Sequence, residues 1–149
     1  MKTSANGIAF ICDWEKFAFV PYPDADGNWT LGYGHCQKPG EAIPKNITEA
    51  AAYTLMSKDL REAEAVIASW ISAPLLQCQF DALVSLAYNC GAAAVMPATS
   101  TLARLLNARR FGEAAIQFLR WDMSGGKHLP GLAKRRLAER RIFELSIYD

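Results

Sequence analysis

The segment Trp14–His35 constrains the fold of this chain more than any other part of the sequence. Glu15, the second residue of the segment, stands at the end of a helical pattern of apolar residues. Pro21 and Pro23 exclude a continuing helix, because proline cannot donate the backbone hydrogen bond that a helix interior needs. The Asp26-Gly27 pair is a turn signal that predicts a β-hairpin. The segment therefore predicts a helix followed at once by a hairpin.

Alternation along the second strand of this hairpin predicts two different faces. One face carries Trp29, Leu31 and Tyr33, and the other carries Thr30, Gly32 and Gly34. The second face has almost no bulk, and glycines in a strand often mark the close approach of a ligand or of another backbone. We expect room for a sugar ring beside Thr30, with a β-bulge that binds no ligand as the alternative.

Glu15, Asp24 and Thr30 are the candidate catalytic residues of the segment. Glu15 falls on the apolar stripe of its helix, where a charged carboxylate is costly, and such an environment suits a general acid. The alternatives are a glutamate that turns to solvent and, for Asp24 and Asp26 alike, a structural role in an Asx turn. Two carboxyls and a hydroxyl that holds water are the groups that split a glycosidic bond.

The same residues resemble a known family. Glu15, Asp24, Thr30 and the following Leu31-Gly32-Tyr33-Gly34-His35 are similar to the signature of the phage-type lysozymes (endolysins, muramidases) of glycoside hydrolase family 24. The similarity continues through Gln79-Phe80-Asp81-Ala82-Leu83, Tyr88-Asn89-Cys90-Gly91, Arg120-Trp121, Gly125-Gly126-Lys127, Leu129-Pro130-Gly131-Leu132 and Arg135-Arg136. It covers nearly the whole chain, and among the two aspartates of the turn it selects Asp24 as functional.

The resemblance implies a predominantly α member of the α+β class with a lysozyme-like fold. The expected single domain, residues 1–149, has an N-lobe with a small β-hairpin over about 1–47, a connecting helix over about 48–70 and a helical C-lobe over about 71–149. Thr48 is a good helix cap, and apolar spacing supports the long helix, which would span about 33 Å. Apolar spacing also predicts helices over 77–90, 100–107, 111–120 and 131–145. A loop with a flexible Gly125-Gly126 is expected between the last two.

The implied reaction is hydrolysis of the β-1,4 bond between N-acetylmuramic acid and N-acetylglucosamine in peptidoglycan. Glu15 would protonate the glycosidic oxygen, Asp24 would stabilise the positively charged transition state, and Thr30 with Asp24 would orient the attacking water. This is inverting geometry, with the carboxyls about 6.5–9.5 Å apart, where a retaining pair needs about 5–5.5 Å. No metal and no cofactor is required.

The resemblance also implies roles for other residues. Residues expected to bind substrate are Tyr33, Gly34, Cys36, Tyr88, Asn89, Gln117 and Arg120. The family pairs a histidine with an aspartate of the long helix, so His35 and Asp59 are expected to form a structural pair, which we favour over a general base. For Trp121 we favour core packing. For Cys36, contact with substrate and oxidation are both open. Lys16 stands where the family usually has glycine.

Composition restricts the possible classes of function further. The net charge of +1 combines a net −4 in residues 1–103 with a net +5 in residues 104–149. An acidic polymer would be attracted to the basic part, but we favour arginines that pair with acids on their own helices. A nucleic-acid-binding helical protein is a weak alternative, because no binding motif is present. The four cysteines lack the spacing of a zinc site, so we expect reduced thiols.

The sequence contains neither a secretory signal nor an apolar run of the roughly 18–20 residues that span a membrane. We therefore expect a monomer, not inserted in a membrane, that stays in the cytoplasm of the host bacterium until a holin lets it reach the periplasm and cell wall. The alternatives are a delivered antibacterial effector, a particle-associated muramidase, and a non-catalytic wall-binding module.

Overall fold

The computed structural model describes residues 1–24 and 27–149, so the predicted turn residue Asp26 lies outside the described residues. The helices of this part are α1 (Ala5–Glu15), α2 (Glu49–Trp70), α3 (Gln77–Cys90), α4 (Thr101–Asn107), α5 (Phe111–Gln117) and α6 (Pro130–Leu145). The strands are β1 (Ala18–Pro23), β2 (Trp29–Gly32), β3 (His35–Cys36), β4 (Met123–Ser124) and β5 (Lys127–His128). Short 3-10 turns cover Ala92–Ala94 and Phe118–Arg120. The predominantly helical α+β class is confirmed.

Helix α1 is anchored to α3 through its N-terminal cap. Ser4 Oγ accepts from the backbone N–H of Gly7 at 3.1 Å and donates to Asp81 Oδ2 at 2.5 Å. The helix approaches α3 so closely that a Cβ on Gly7 would lie 2.7 Å from Asp81 Cγ. Phe10 and Ile11 are buried behind this contact. The last residue of α1, Glu15, therefore takes its position from a helix that is fixed at its other end.

Strands β1, β2 and β3 form an antiparallel sheet in that order, which confirms the predicted hairpin. Tyr22 pairs with Thr30, and Thr30 pairs with Cys36 on the other side. The register shifts between Ala18 and Tyr22, so the irregularity of this sheet lies in β1, whereas the alternative of a bulge concerned the strand with Gly32 and Gly34. Leu31 is fully buried, and Thr30 is also buried rather than open to solvent.

Helices α2 and α3 provide most of the central packing. Thr48 caps α2, as expected, by accepting from the N–H of Ala51, and the buried side of α2 carries Met56, Leu60 and Ile67. All residues of α3 from 80 to 87 are buried, because α1, α2 and α6 pack around it. No helix in the described ranges is long and apolar enough to cross a membrane.

The structure differs from the predicted elements near residues 117–131. The helix expected over 111–120 ends as an α-helix at Gln117 and continues as a 3-10 turn. Part of the expected loop is a second hairpin, in which β4 pairs with β5. Gly125 and Gly126 both have positive φ, 56° and 76°, which two-residue hairpin turns require and which glycine adopts without strain.

Candidate active site

A cleft of about 460 Å³ lies between the β1–β3 sheet, α2 and α3. Its lining includes the end of α1, strand β3, one side of α2 and the C-terminal end of α3. The candidate residues on its surface are Glu15, Gly34, Cys36, Tyr88 and Asn89, together with His35 and Asp59 of the expected structural pair. The cleft has the size of a small-ligand site and several convergent polar groups.

Glu15 is held from two sides. Its Oε1 accepts from Arg135 Nη1 at 2.6 Å, and the Glu15 side chain retains 18% exposure while Arg135 retains 5%. On the other side, Gly34 has φ +81°, and a Cβ there would lie 2.9 Å from Glu15 Oε2. A glycine is thus required at 34 both by the backbone and by the carboxylate. The outcome is a partly exposed carboxylate with little freedom, facing the cleft.

Arg135 belongs to a buried cluster of charges between α3 and α6. Glu139 Oε1 accepts from Ser85 Oγ at 2.7 Å, from Arg136 Nη2 at 2.9 Å and from Arg135 Nε at 3.2 Å. Arg136 Nε also lies 2.9 Å from Glu139 Oε2, at ion-pair distance but without hydrogen-bond alignment. Burial raises the pKa of Glu139, and the charges of Arg136 and Arg135 oppose this effect.

Arg135 and Arg136 were not predicted to belong to the site, and no role was predicted for Glu139. A signal was present, since an acid placed three and four residues after two arginines brings all three onto neighbouring positions of one helix. The contact of Arg135 with Glu15, which is 120 residues away in the chain, leaves no such local signal.

The polar residues at the end of α3 are mostly engaged with the protein. Asn89 Oδ1 accepts from Arg136 Nη2 at 2.9 Å, which fixes its amide at the edge of the cleft. Tyr88 donates its hydroxyl to the carbonyl of Tyr33 at 2.9 Å, and burial raises the Tyr88 pKa far above its usual range. Tyr33 itself donates to Glu49 at 2.7 Å and is not among the residues that line the cleft.

Asp24 and Thr30 lie on the hairpin, and neither is among the residues that line the cleft. Asp24 Oδ1 accepts from the N–H of Asn28 at 2.8 Å, four residues further along the chain, whereas an Asx turn joins residues two apart. Burial raises the pKa of Tyr22, and the charges of Glu15 and Asp24 raise it further. Both carboxylates are therefore within electrostatic reach of one point on the hairpin.

His35 is buried between two carboxylates. Its Nδ1 donates to Asp59 Oδ2 at 2.7 Å, as expected for the pair, and its Nε2 lies 3.0 Å from Glu41 Oε2. Burial raises the pKa of Asp59, while the hydrogen bond from His35 opposes this effect. The backbone N–H of Lys38 and then His35 lower the pKa of Glu41. Both ring nitrogens are thus engaged with the protein, which leaves His35 a structural contact between β3 and α2.

Gln117 and Arg120 are not brought to this cleft. They line a smaller cavity of about 220 Å³ beside Thr99, Thr101 and Trp121. Gln117 Oε1 is buried without a hydrogen-bond partner in the described part of the chain. Trp121 is half-buried and packs against the core, in line with the role that we favoured for it.

Comparison with known proteins places the chain among phage enzymes. Residues 12–139 match the family described as Phage lysozyme. The endolysin of Acyrthosiphon pisum secondary endosymbiont phage 1 is 36% identical over 97% of this chain and 99% of its own length. The endolysin of Salmonella phage P22 is 37% identical over 96% of this chain and 98% of its own length.

Among solved structures, an endolysin from Escherichia coli O157:H7 phage FAHEc1 superposes with a TM-score of 0.89 at 30% identity. The match covers 100% of this chain and 97% of that one, so the two proteins share the whole fold. The chain belongs to the phage lysozyme family and is a glycoside hydrolase that acts as a muramidase on peptidoglycan.

Proposed function

We propose that Glu15, Asp24 and Thr30 carry out the hydrolysis, with inversion at the anomeric carbon. Glu15 protonates the leaving glycosidic oxygen, and the ionised Asp24 stabilises the positive charge that develops on the sugar. Thr30, together with Asp24, orients the water that attacks from the opposite face. The bond cut is the β-1,4 bond between N-acetylmuramic acid and N-acetylglucosamine.

The observation that best supports this assignment is the placement of Glu15. Its carboxylate faces the cleft at the end of a well-anchored helix, and Arg135 fixes one of its oxygens. A general acid must be held within hydrogen-bond reach of the bond that breaks, so restricted motion favours catalysis. Gly34 also keeps the space beside the carboxylate free of a side chain.

Glu15→Gln tests the assignment with purified peptidoglycan as the substrate. The wild type should release new muramic acid reducing ends, and Glu15→Gln should release them about 100- to 10,000-fold more slowly, because the amide cannot donate an acidic proton. Glu113→Gln is the matched control, since Glu113 is exposed on α5 and pairs with the exposed Arg110. Equal rates for Glu15→Gln and the wild type would overturn the role of Glu15. The anomeric configuration of the first product, followed by NMR, tests inversion.

We further propose a division into an N-lobe of about 1–47, a connecting helix of about 48–70 and a C-lobe of about 71–149. Cys36, Tyr88 and Asn89 are the proposed glycan contacts within the cleft, and Gln117 and Arg120 are proposed contacts in the second cavity. The proposed biology is lysis of the host bacterium by a monomer that accumulates in its cytoplasm and reaches the wall with the help of a holin.

A further inference from the structure

Three residues form a cross-strand row on the β1–β3 sheet, namely Tyr22, Thr30 and Cys36. Residues that pair directly in antiparallel strands point to the same face, with Cβ atoms about 4.5–5.5 Å apart. Thr30, the proposed water-holding residue, is at the centre of this row. Cys36 at one end of the row lines the cleft. Tyr22 at the other end lies beside Thr30 on the same face of the sheet as Cys36, next to but not among the residues that line the cleft.

The Tyr22 hydroxyl differs from the hydroxyls of three other tyrosines of the chain. Tyr33, Tyr88 and Tyr148 donate their hydroxyls to protein acceptors at 2.7–2.9 Å. In the described part of the chain, no recorded hydrogen bond engages the hydroxyl of Tyr22, and its residue is 43% exposed. A donor that the fold does not use remains available to a ligand.

The negative charges near Tyr22 favour a protonated hydroxyl, which can donate a hydrogen bond. Burial raises the pKa of Tyr22 above the ordinary value of 10.0, and the negative charges of Glu15 and Asp24 raise it further. The hydroxyl therefore keeps its proton at neutral pH, so it can donate a hydrogen bond beside two groups that, when ionised, only accept. A sugar ring seated beside Thr30 would lie next to this donor, because Tyr22 pairs directly with Thr30 across the strands. The strongest neutral acceptor on an N-acetylated sugar is its acetamido carbonyl.

We propose that the Tyr22 hydroxyl donates a hydrogen bond to the acetamido carbonyl of the N-acetyl sugar bound between Glu15 and Asp24. Tyr22 is then a substrate-contacting residue that positions the sugar for cleavage. This inference rests on the proposed assignment of the catalytic residues. It predicts that the contribution of the hydroxyl depends on the acetamido group of the substrate.

The test compares Tyr22→Phe with the wild type on intact peptidoglycan and on N-deacetylated peptidoglycan. On the intact substrate, the variant should lose about tenfold in kcat/KM, the size expected for one hydrogen bond to a bound ligand. On the deacetylated substrate, the wild type should itself be slow, and Tyr22→Phe should cost no more than about twofold, because the acceptor is gone. The aromatic ring is kept, so the packing beside Thr30 is retained.

Tyr53→Phe is the matched control, because Tyr53 is 42% exposed, close to the 43% of Tyr22, but lies on α2 and not in the row of Tyr22, Thr30 and Cys36. It should match the wild type on both substrates, and all variants should share the wild-type melting temperature. The inference is overturned if Tyr22→Phe equals the wild type on intact peptidoglycan, or loses the same factor on both substrates. An inactive wild type would instead refute the proposed function.

Discussion

Lys16, the residue that follows Glu15, has an unusual backbone conformation. It ends α1 with φ 58° and ψ 150°, a region that residues other than glycine rarely adopt. The family usually has glycine at this place, and the backbone geometry supplies a physical reason. The chain must leave the helix abruptly at this point so that Glu15 faces the cleft while β1 starts two residues later. The strained backbone of Lys16 thus occurs at the point where the chain turns to leave the Glu15 carboxylate at the cleft.

Lys16→Gly should therefore stabilise the protein. Relief of the strained conformation is worth about 1–3 kcal/mol, and the greater freedom of glycine in the unfolded chain offsets about 0.5–1 kcal/mol of this gain. We expect a net gain of about 1 kcal/mol in the free energy of unfolding, measured by urea denaturation. Lys45→Gly is the control, because Lys45 is exposed and is not among the positive-φ residues, and it should give no gain. A Lys16→Gly variant no more stable than the wild type would contradict the strain.

At the scale of the elements, the sequence predicted the helix caps and helix ranges that depend on neighbouring residues. The cap Thr48 and the range of α3 are confirmed, because capping and apolar spacing act within a few residues. The hairpin of β4 and β5 was missed, because its strands have two residues each and show no alternation to detect. The irregular register of β1 was also missed, because it depends on how the two strands pair.

The packing of α6 on α3 places a fully buried acid, Glu139, against two guanidinium groups. Glu139→Gln removes the negative charge and leaves Arg135 and Arg136 buried without it. Loss of one partner from a buried ion pair costs about 3–5 kcal/mol, because the remaining charge stays out of water. We expect a loss of this size in the free energy of unfolding, measured by urea denaturation at neutral pH.

Glu144→Gln is the matched control for this prediction. Glu144 lies on the same helix and pairs with Arg140 at 2.9 Å, but both side chains are about one-third exposed. Exposed pairs contribute about 0–1 kcal/mol, so this variant should stay close to the wild type. Equal losses for the two variants would show that burial does not strengthen the Glu139 cluster.

At the scale of the whole molecule, the site joins parts of the chain that sequence patterns treat separately. Glu15 and its partner Arg135 come from opposite ends of the chain, and Tyr22 reaches Thr30 only through strand pairing. The candidate catalytic set was predictable because its three residues occupy one short segment and resemble a family signature. The residues that position this set were not predictable, because helix packing brings them together.

Many of the positive charges in the basic C-terminal region, residues 104–149, are paired in the folded molecule. Three of its arginines pair with acids of the same region, in the pairs Arg110–Glu113, Arg140–Glu144 and Arg141–Asp149. Two more arginines are buried with Glu139. Pairing on the same helix is confirmed for Arg135, Arg136 and Arg140, whereas Arg141 pairs with Asp149 beyond the end of α6. The net +5 of the region already counts these acids, so only the buried cluster of Arg135, Arg136 and Glu139 takes a positive charge away from the surface.

Several phenols and a thiol stabilise the fold only while they are protonated. The hydrogen bond to Glu49, aided by burial, raises the pKa of Tyr33 to about 12, and burial raises the pKa of Cys12 to about 11. Burial also raises the pKa of Tyr88 and Tyr148 well above 10.0. Because the unfolded chain loses these protons first, the free energy of unfolding should fall as pH rises from about 9 to 12. Below about pH 8 these groups should contribute almost no slope, because they are protonated in both the folded and the unfolded chain.

Tyr33→Phe isolates one part of this alkaline dependence. The variant lacks the hydroxyl that donates to Glu49, so it should be less stable than the wild type at pH 8. Its stability should then fall less steeply between about pH 10 and 12, because one proton-linked group is gone. Urea denaturation at intervals from pH 8 to 11.5, with phenolate absorbance recorded in parallel, measures both effects. Parallel curves for the variant and the wild type, or a flat wild-type curve, would show that these protons are not linked to folding.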